Sequence, residues 1–369
     1  MTFKKKTALG IILFILVITG IQLFTLYRQP LGPPLNLPTL TQSMAPTLTT
    51  FPMETLAVNS TATEVPPTAT ATLKPLCGGP TVMNILAIGS DARGDHYLYG
   101  LADIMRLVRV DFVNARVSIL EVPRDLWVEI PEISAHYGIT QGKLNQAYLY
   151  GNKGLGYYDG PSEGPGLLAR TLNLNFGART DHYLAVNMKT FENIVNAVGG
   201  IDVYLPEEVS VRSPSNPKGF AIPPGQHHID GETALWVARI REYSTFSRAD
   251  NQNIIMCALY KELLSPAGVP AIPKLVTDFR EYVQTDLSPQ QINQLACLAN
   301  QMNGTGVVFV SFPINMFKNA KVFDPQLKAT TSVLDADYNL LRDYIDRFQQ
   351  GTWPVIDATL VEPDSGICT

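Results

Sequence analysis

The 369-residue sequence has no basic cluster beyond three lysines near its N-terminus. Asp and Glu together number 33 against 28 Lys and Arg, which gives a formal net charge of −5 at pH 7. Nucleic-acid-binding domains cluster Lys and Arg against the phosphate backbone, so this composition argues against nucleic acid as a partner. Any anion-binding site must be local, made by a few converging arginines in an acidic protein.

Other absences narrow the function further. The Gly-rich stretch 151–166 lacks the Gly-Lys-Ser/Thr ending of a nucleotide P-loop, so ATP is not expected. The chain shows no internal repeat. Its four cysteines, at 77, 257, 297 and 368, include no Cys-x-x-Cys pair of the metal-binding type. These absences exclude the simplest nucleotide-binding and zinc-binding classes.

One long apolar run stands near the N-terminus. Residues 8–27 carry no charge and match the ~20 residues that cross a bilayer core. Three lysines within residues 1–7 precede the run and only Arg28 follows closely, so the positive-inside rule places the N-terminus in the cytoplasm. A cleaved signal peptide is the alternative, but no Ala-x-Ala site precedes Pro30. We predict a single-pass membrane anchor with the remainder of the chain extracytoplasmic.

Composition divides the rest of the chain in two. Residues 28–80 are dominated by Pro, Thr, Leu and Ala with few charges, which is typical of an extended stalk. Residues 81–369 are ordinary globular sequence, long enough for one large domain. An even number of cysteines outside the membrane predicts disulfides, and three connectivities are possible. Pairing Cys77 with Cys368 would join the domain ends, and pairing Cys257 with Cys297 would staple two helical segments; four separate thiols are the alternative.

The globular part reads as an α/β fold. The turn 113–115 is short enough to make its flanking strands antiparallel neighbours, so the sheet is predicted to be mixed. Asn187 is expected to cap one helix, Ser288 opens another with a capping box, and 332–349 is expected to form a terminal amphipathic helix. Runs rich in Val, Ile and Leu predict strands at 82–89, 106–113, 116–122, 181–186, 201–205 and 307–312.

Charged residues punctuate the first strands of this fold. Asp91, Arg93, Asp103, Arg124 and Asp125 each stand where an apolar run ends or is broken. Strand ends and the loops beside them are where α/β sheets build their sites. Arg binds phosphate oxygens with a planar fork, and Asp holds the Mg²⁺ that neutralises the remaining charge. The pattern predicts a phosphate or pyrophosphate site.

A second set of arginines follows later in the chain. Asp230 is expected to open a helix that ends at Arg239 and Arg241, and Arg248 begins the next helix. Three guanidiniums within ten residues can converge on one polyanion. The alternative is a solvated helix face, but the apolar residues before Arg239 make an unpaired charge there costly. We interpret the group as part of an anion site.

Seven short motifs follow one another over about residues 82–265. They are Gly89-Ser90-Asp91-x-Arg93, Asp103-Ile-Met, Val-Pro-Arg124-Asp125, Lys143-Leu-Asn145-Gln-Ala-Tyr148, Asn196-Ala-Val-Gly-Gly-Ile-Asp202-Val, Gly225-x-x-x-Ile-Asp230-Gly-Glu-x-Ala-Leu and Ala238-Arg239-x-Arg241. Each motif alone is weak, but together and in this order they resemble the LytR-CpsA-Psr family of cell-wall ligases.

The resemblance implies a three-layer α/β/α sandwich with an apolar tunnel for a polyprenyl chain and a charged mouth for its pyrophosphate. It implies Mg²⁺- or Mn²⁺-assisted transfer of a lipid-linked glycopolymer, such as teichoic acid, to a sugar hydroxyl of peptidoglycan or another envelope acceptor. Matching positions imply that Asp91 and Asp103 lie near the metal and the acceptor and that Asp125 orients Arg124. The pyrophosphate would be bound by Arg93, Arg124, Arg239 and Arg241, with Arg248 beside them.

Two positions depart from the family pattern. The family usually has Arg where this chain has Leu101, and tends to have a second Arg where it has Asn251. Each missing guanidinium removes charge-assisted hydrogen bonds to the pyrophosphate. A non-catalytic protein that binds polyprenyl phosphate or glycan is therefore the alternative to a transferase. His227 and His228 lie beside the predicted site, but no motif requires a His there.

Overall fold

The computed structural model describes residues 18–37, 73–93, 97–136, 138–210, 219, 221–240, 245–265, 268, 275, 282–302, 306–354 and 368. Its first helix, α1, spans 18–28, so residues 8–17 of the predicted anchor lie outside the described residues. Within the part that is described, no helix combines the length and the apolar character needed to cross a membrane.

The described helices and strands alternate along the chain. The remaining helices are α2 (Leu144–Gly151), α3 (Glu163–Phe176), α4 (Met188–Ala197), α5 (Gly231–Arg239), α6 (Thr245–Leu263), α7 (Pro289–Gln301) and α8 (Tyr338–Gln350). The strands are β1 (Val82–Ser90), β2 (Ala102–Asp111), β3 (Arg116–Glu121), β4 (Trp127–Glu129), β5 (Gln141–Lys143), β6 (His182–Asn187), β7 (Ile201–Leu205), β8 (Val209–Ser210), β9 (Ala221–Ile222), β10 (Gly225–Ile229), β11 (Gln284–Thr285), β12 (Val307–Val310), β13 (Phe317–Asp324) and β14 (Ala329–Ala336).

Six strands form a central sheet in the order β11-β6-β1-β2-β3-β12. β2 and β3 pair antiparallel, as the short turn at 113–115 predicted, and β1 also pairs antiparallel with β2. β6 runs parallel to β1, and β12 runs parallel to β3. The prediction of a mixed α/β sheet is therefore confirmed. Each predicted strand is present, with ends that differ by up to four residues.

Both faces of the sheet are covered by helices. Successive side chains of a strand point to opposite faces, so Leu86 and Ile88 of β1 pack with α2, α3 and α8, whereas Met83 and Ile85 pack with α6 and α7. A separate apolar cluster joins the antiparallel pair of strands β7 and β10 to α4, α5 and α6. The helix that ends at Arg239 thus lies on a small lobe beside the main sheet.

Helix starts follow the local sequence signals. The side chain of Asn187 accepts from the backbone N–H of Thr190, and Asp230 does the same for Thr233. Ser288 and Gln291 form the expected capping box with Pro289 at the first helical position. Each of these side-chain oxygens satisfies a backbone donor that the helix itself leaves without a partner.

The C-terminal prediction was partly wrong. Residues 338–350 are helical, but 329–336, where the predicted helix began at 332, form strand β14. β14 pairs along its whole length with β13, and this long-range partner overrides the local amphipathic pattern.

The predicted disulfide pairing was also wrong. Cys77 is bonded to Cys297 and Cys257 to Cys368. The turn that holds Cys77 packs on α7, which carries Cys297, and the backbone N–H of Cys368 bonds to Val307 of β12. The pairs are set by which surfaces meet in the fold, and spacing along the chain does not encode that.

A short extended segment before the globular part packs against it. The backbone carbonyls of Leu35 and Asn36 each accept a guanidinium hydrogen bond of 3.0 Å from Arg170 of α3, and Leu35 is only 2% exposed. Ser162 donates to the carbonyls of Pro33 and Pro34. We call residues 31–37 the strap. The predicted stalk therefore does not begin at residue 28, and 38–72 lie outside the described residues.

Candidate active site

A β-bulge shapes the first corner of the site. Gly89 of β1 pairs with Ile104, but Ser90 pairs with Ala102, so Asp103 is the extra residue of β2. A bulge bends the strand and re-aims the side chain it carries, and bulges are common beside active sites. The side chain of Asp103 therefore does not follow the alternation between the two faces of the sheet that the other side chains of β2 show.

Asp91 follows β1 directly and is fixed by the residue before β2. Its carboxylate accepts the backbone N–H of Leu101 at 2.6 Å, and its own N–H donates to the Leu101 carbonyl at 3.0 Å. The pKa of Asp91 is raised, chiefly by burial and in part by the negative charge of Asp103. The hydrogen bond from Leu101 and the positive charges of Arg124 and Arg239 act in the opposite direction and limit this rise. Asp103, Arg124 and Arg239 thus all lie close enough to Asp91 to influence its charge.

A chain of ion pairs runs through the site. Arg124 donates to the carboxylates of Asp103 and of Asp125, the latter at 3.3 Å, and Lys143 donates to the other oxygen of Asp125 at 3.0 Å. All four side chains are between 13% and 25% exposed. Partly buried charges of alternating sign hold one another in fixed positions while one side still meets solvent.

Backbone bonds fix the loop that carries Arg124 and Asp125. The carbonyl of Arg124 accepts the N–H of Asn145 at 3.2 Å, and the carbonyl of Asp125 accepts the N–H of Leu334 at 2.9 Å. Lys143 precedes α2, so the start of that helix contributes both a cation and a backbone contact. Sequence reasoning missed the role of Lys143, although the motif that contains it was recognised.

The second arginine group is only partly described. Arg239, at the end of α5, acts on Asp91 electrostatically and lies 5.5 Å from the ring centroid of Trp236. Arg93 is exposed and two residues beyond Asp91. Arg241 and the side chain of Arg248 lie outside the described residues. The structure thus joins Asp91, Asp103, Arg124 and Arg239, and the convergence of the other arginines stays a prediction.

The carboxylates fit a divalent cation that is shared with a phosphate ligand. Mg²⁺ is usually bound by one or two protein carboxylates and completed by water and substrate phosphates. Asp91 and Asp103 supply such a pair, and the buried side-chain oxygen of nearby Asn145 has no hydrogen-bond partner. No group of three acidic, His or Cys side chains among the described residues forms a closed metal site.

A polar cavity of about 240 Å³ lies elsewhere, toward the opposite end of β2. It is lined by Arg109, Asp111, Asn114, Arg116, Ser118, Gly351, Trp353 and Pro354, and it contains none of the predicted site residues. Arg109 is already paired with Asp111 there. We place the functional site at the ion-pair chain, because a reaction site is defined by its chemical groups more than by its volume.

The fold and the site define a mixed α/β protein with a carboxylate–guanidinium site at the carboxyl end of β1. The chain belongs to the LytR-CpsA-Psr family: residues 60–338 match the family described as "LytR_cpsA_psr family". The resemblance carried by the seven motifs is thereby confirmed.

Individual relatives are more distant. The chain is 29% identical over 218 residues to regulatory protein MsrR of Staphylococcus aureus strain COL, covering 58% of each chain. It is 30% identical over 217 residues to the polyisoprenyl-teichoic acid–peptidoglycan teichoic acid transferase TagU of Oceanobacillus iheyensis, covering 58% of this chain and 61% of TagU. The match thus spans less than two thirds of either relative. A solved structure of TagT bound to LIIa-WTA superposes with a TM-score of 0.52 at 20% identity, over 73% of this chain and 90% of TagT.

Proposed function

We propose that this protein is an extracytoplasmic phosphotransferase. It moves a glycopolymer from a polyprenyl-pyrophosphate carrier to a sugar hydroxyl of peptidoglycan or of another envelope acceptor. The observation that carries the proposal is the ion-pair chain, in which Arg124 is held between Asp103 and Asp125 beside Asp91. The transferase name of TagU and the ligand named for TagT support the same class.

The guanidiniums suit the donor. A pyrophosphate carries several negative oxygens, and Arg124 and Arg239 offer planar donors at a partly buried site where such bonds are stronger than in water. Arg93, Arg241 and Arg248 are proposed to bind further oxygens of the pyrophosphate. The two carboxylates would hold Mg²⁺ or Mn²⁺, which supplies neutralisation of phosphoryl charge when bound.

The carboxylates suit the acceptor. The hydroxyl oxygen forms a new bond to the glycan-bearing phosphorus, the bond from that phosphorus to the bridging oxygen breaks, and polyprenyl phosphate leaves. The hydroxyl proton passes to a carboxylate. We propose Asp91 as the acceptor, because Asp103 is bound by Arg124. Arg124 and Arg239 then offset the charge on the leaving phosphate.

The lipid part of the donor needs an apolar surface near these charges. The loop between Asp91 and Asp103 exposes Leu98 (42%) and Tyr99 (63%). Large exposed apolar side chains beside a charged site suit an amphipathic ligand. The apolar tunnel implied by the family stays part of the proposal.

The test is a transfer assay with the full-length protein in detergent. With a polyprenyl-pyrophosphate-linked glycan and peptidoglycan, we expect transfer that stops with EDTA and returns with Mg²⁺ or Mn²⁺. Tight donor binding without metal-dependent turnover on any acceptor would instead favour the non-catalytic binding protein, for which Leu101 and Asn251 are the specific observations.

A further inference from the structure

Arg106 is the largest fully buried side chain among the described residues, at 1% exposure. It lies on β2 three residues after Asp103, and its side chain reaches the inner face of α6. There it donates to the side-chain oxygens of Asn253 at 2.6 Å and Gln252 at 3.3 Å. Its guanidinium carbon lies 5.4 Å from the ring centroid of Phe309.

This arginine is poorly compensated for a buried charge. Both of its hydrogen-bond acceptors are neutral amides, its Nε has no partner, and within the described part of the chain no carboxylate lies at salt-bridge distance from it. Burial lowers its pKa, although Glu121 and Asp250 oppose that from farther away. Burying a charge is costly unless the charge is both paired and hydrogen-bonded. Arg106 is therefore not expected to add much net stability to the fold.

The contacts of Arg106 lead to the candidate active site. Gln252, which is 4% exposed, donates its side-chain N–H to the backbone carbonyl of Ala238 at 3.2 Å. Ala238 directly precedes Arg239, and Gln252 follows Arg248 by one helical turn. One buried guanidinium is thus bonded to the middle of α6 and, through Gln252, to the end of α5.

We propose that Arg106 is a positioning residue that ties α6 to the end of α5, so that Arg239 is held in place for the donor pyrophosphate. This inference rests on the proposed function. Leu101 and Asn251 leave the site with fewer guanidiniums than the family pattern, so the placement of the remaining ones matters more. Arg106 is buried and acts through Gln252 and Asn253, not by contact with substrate.

The experiment compares Arg106→Met with Arg109→Met in the full-length protein. Arg109 lies three residues further along β2 and is also buried, but it is paired with Asp111 and lies away from the site. We expect Arg106→Met to remain folded, yet to raise the donor KM at least tenfold. Arg109→Met is expected to lower the unfolding temperature and to leave the donor KM within threefold.

Two further variants keep the test decisive if Arg106→Met does not fold. Arg106→Lys retains the charge with fewer donors and should recover part of the donor affinity. Asn253→Leu removes the shorter hydrogen bond of Arg106 and should raise the donor KM in the same direction. A wild-type donor KM in Arg106→Met, or in Asn253→Leu where the former cannot be purified, overturns the inference.

Donor binding separates this inference from the proposed function. Polyprenyl pyrophosphate alone serves as the probe in an equilibrium binding assay. If the wild-type protein binds the probe and Arg106→Met binds it equally well, only the positioning role fails. If the wild-type protein neither binds the probe nor turns over donor, the proposed function fails and the inference falls with it.

Discussion

At the residue scale, Arg124 contacts two carboxylates at once, and each contact constrains the other. The pair with Asp125 leaves one face of the guanidinium toward Asp103, where the donor phosphates are proposed to bind. Asp125 is in turn held by Lys143, so the position of Arg124 depends on two residues that need not touch substrate. A preorganised electrostatic site requires such supporting residues, which hold the substrate-binding side chains in position.

We predict that Asp103→Asn and Arg124→Ala each lower glycan transfer at least ~100-fold, which is the scale of one lost electrostatic stabiliser. Asp103→Asn keeps the shape of the side chain and a hydrogen-bond acceptor for Arg124. The loss of activity in this variant therefore reports on the loss of the negative charge. Initial rates with a polyprenyl-pyrophosphate donor measure the effect. Lys189→Ala, which breaks an exposed pair with Glu192, is the control and should keep wild-type activity. Rates within fivefold of wild type for both site variants would contradict the assignment.

His228 provides a pH dependence outside the active site. Its ring nitrogens contact Asp202 at 2.8 Å and the Gly199 carbonyl at 3.0 Å, and these hydrogen bonds raise its pKa above the ordinary 6.5. The protonated ring can donate at both nitrogens. The stabilisation that His228 gives to the paired strands β7 and β10 is therefore complete below the ordinary pKa and is lost as pH rises through the raised pKa.

NMR titration of the His228 ring protons checks this expectation. We predict a midpoint above 6.5, and a lower midpoint in Asp202→Asn, because that variant removes the carboxylate that favours the charged ring. An Asp202→Asn midpoint equal to that of the wild-type protein would show that the hydrogen bond does not form in solution.

At the element scale, local signals predicted the helix starts and the antiparallel strands. Asn187, Asp230 and Ser288 bond to backbone donors three residues away, so their roles are written in adjacent sequence. Long-range partners were beyond such reasoning. β14 forms because β13 lies beside it, and the Lys143–Asp125 pair forms because β5 brings the start of α2 to the loop after β3.

The disulfides define a prediction at the same scale. Non-reducing peptide mapping should yield Cys77–Cys297 and Cys257–Cys368, since those are the elements that pack together. Each bridge closes a loop of more than 100 residues, so removing one is expected to lower the free energy of unfolding by about 2–4 kcal/mol. Recovery of the pair Cys257–Cys297 would contradict the packing of α7 on the turn at Cys77.

At the scale of the whole molecule, the N-terminal charge pattern predicts that the folded domain faces the outside of the cell. Protease added to intact spheroplasts should digest or release the domain, and an antibody to its C-terminus on blots measures the loss. A cytoplasmic protein serves as the protected control. Full protection of the domain would reverse the orientation and remove the proposed envelope substrates.

The strap limits the distance between the folded domain and the predicted membrane anchor. Only two residues separate α1 from the start of the strap, where the N–H of Leu31 bonds to Leu287, and the hydroxyl of Tyr27 accepts a bond from Asn293. Two residues span at most ~7 Å, whereas a 50-residue stalk would allow an excursion of many tens of ångströms. If residues 8–27 lie in the membrane as the sequence predicts, the proposed active site lies close to the bilayer. We propose that its acceptors are then glycan strands near that surface, and that more distant layers of the envelope are out of reach.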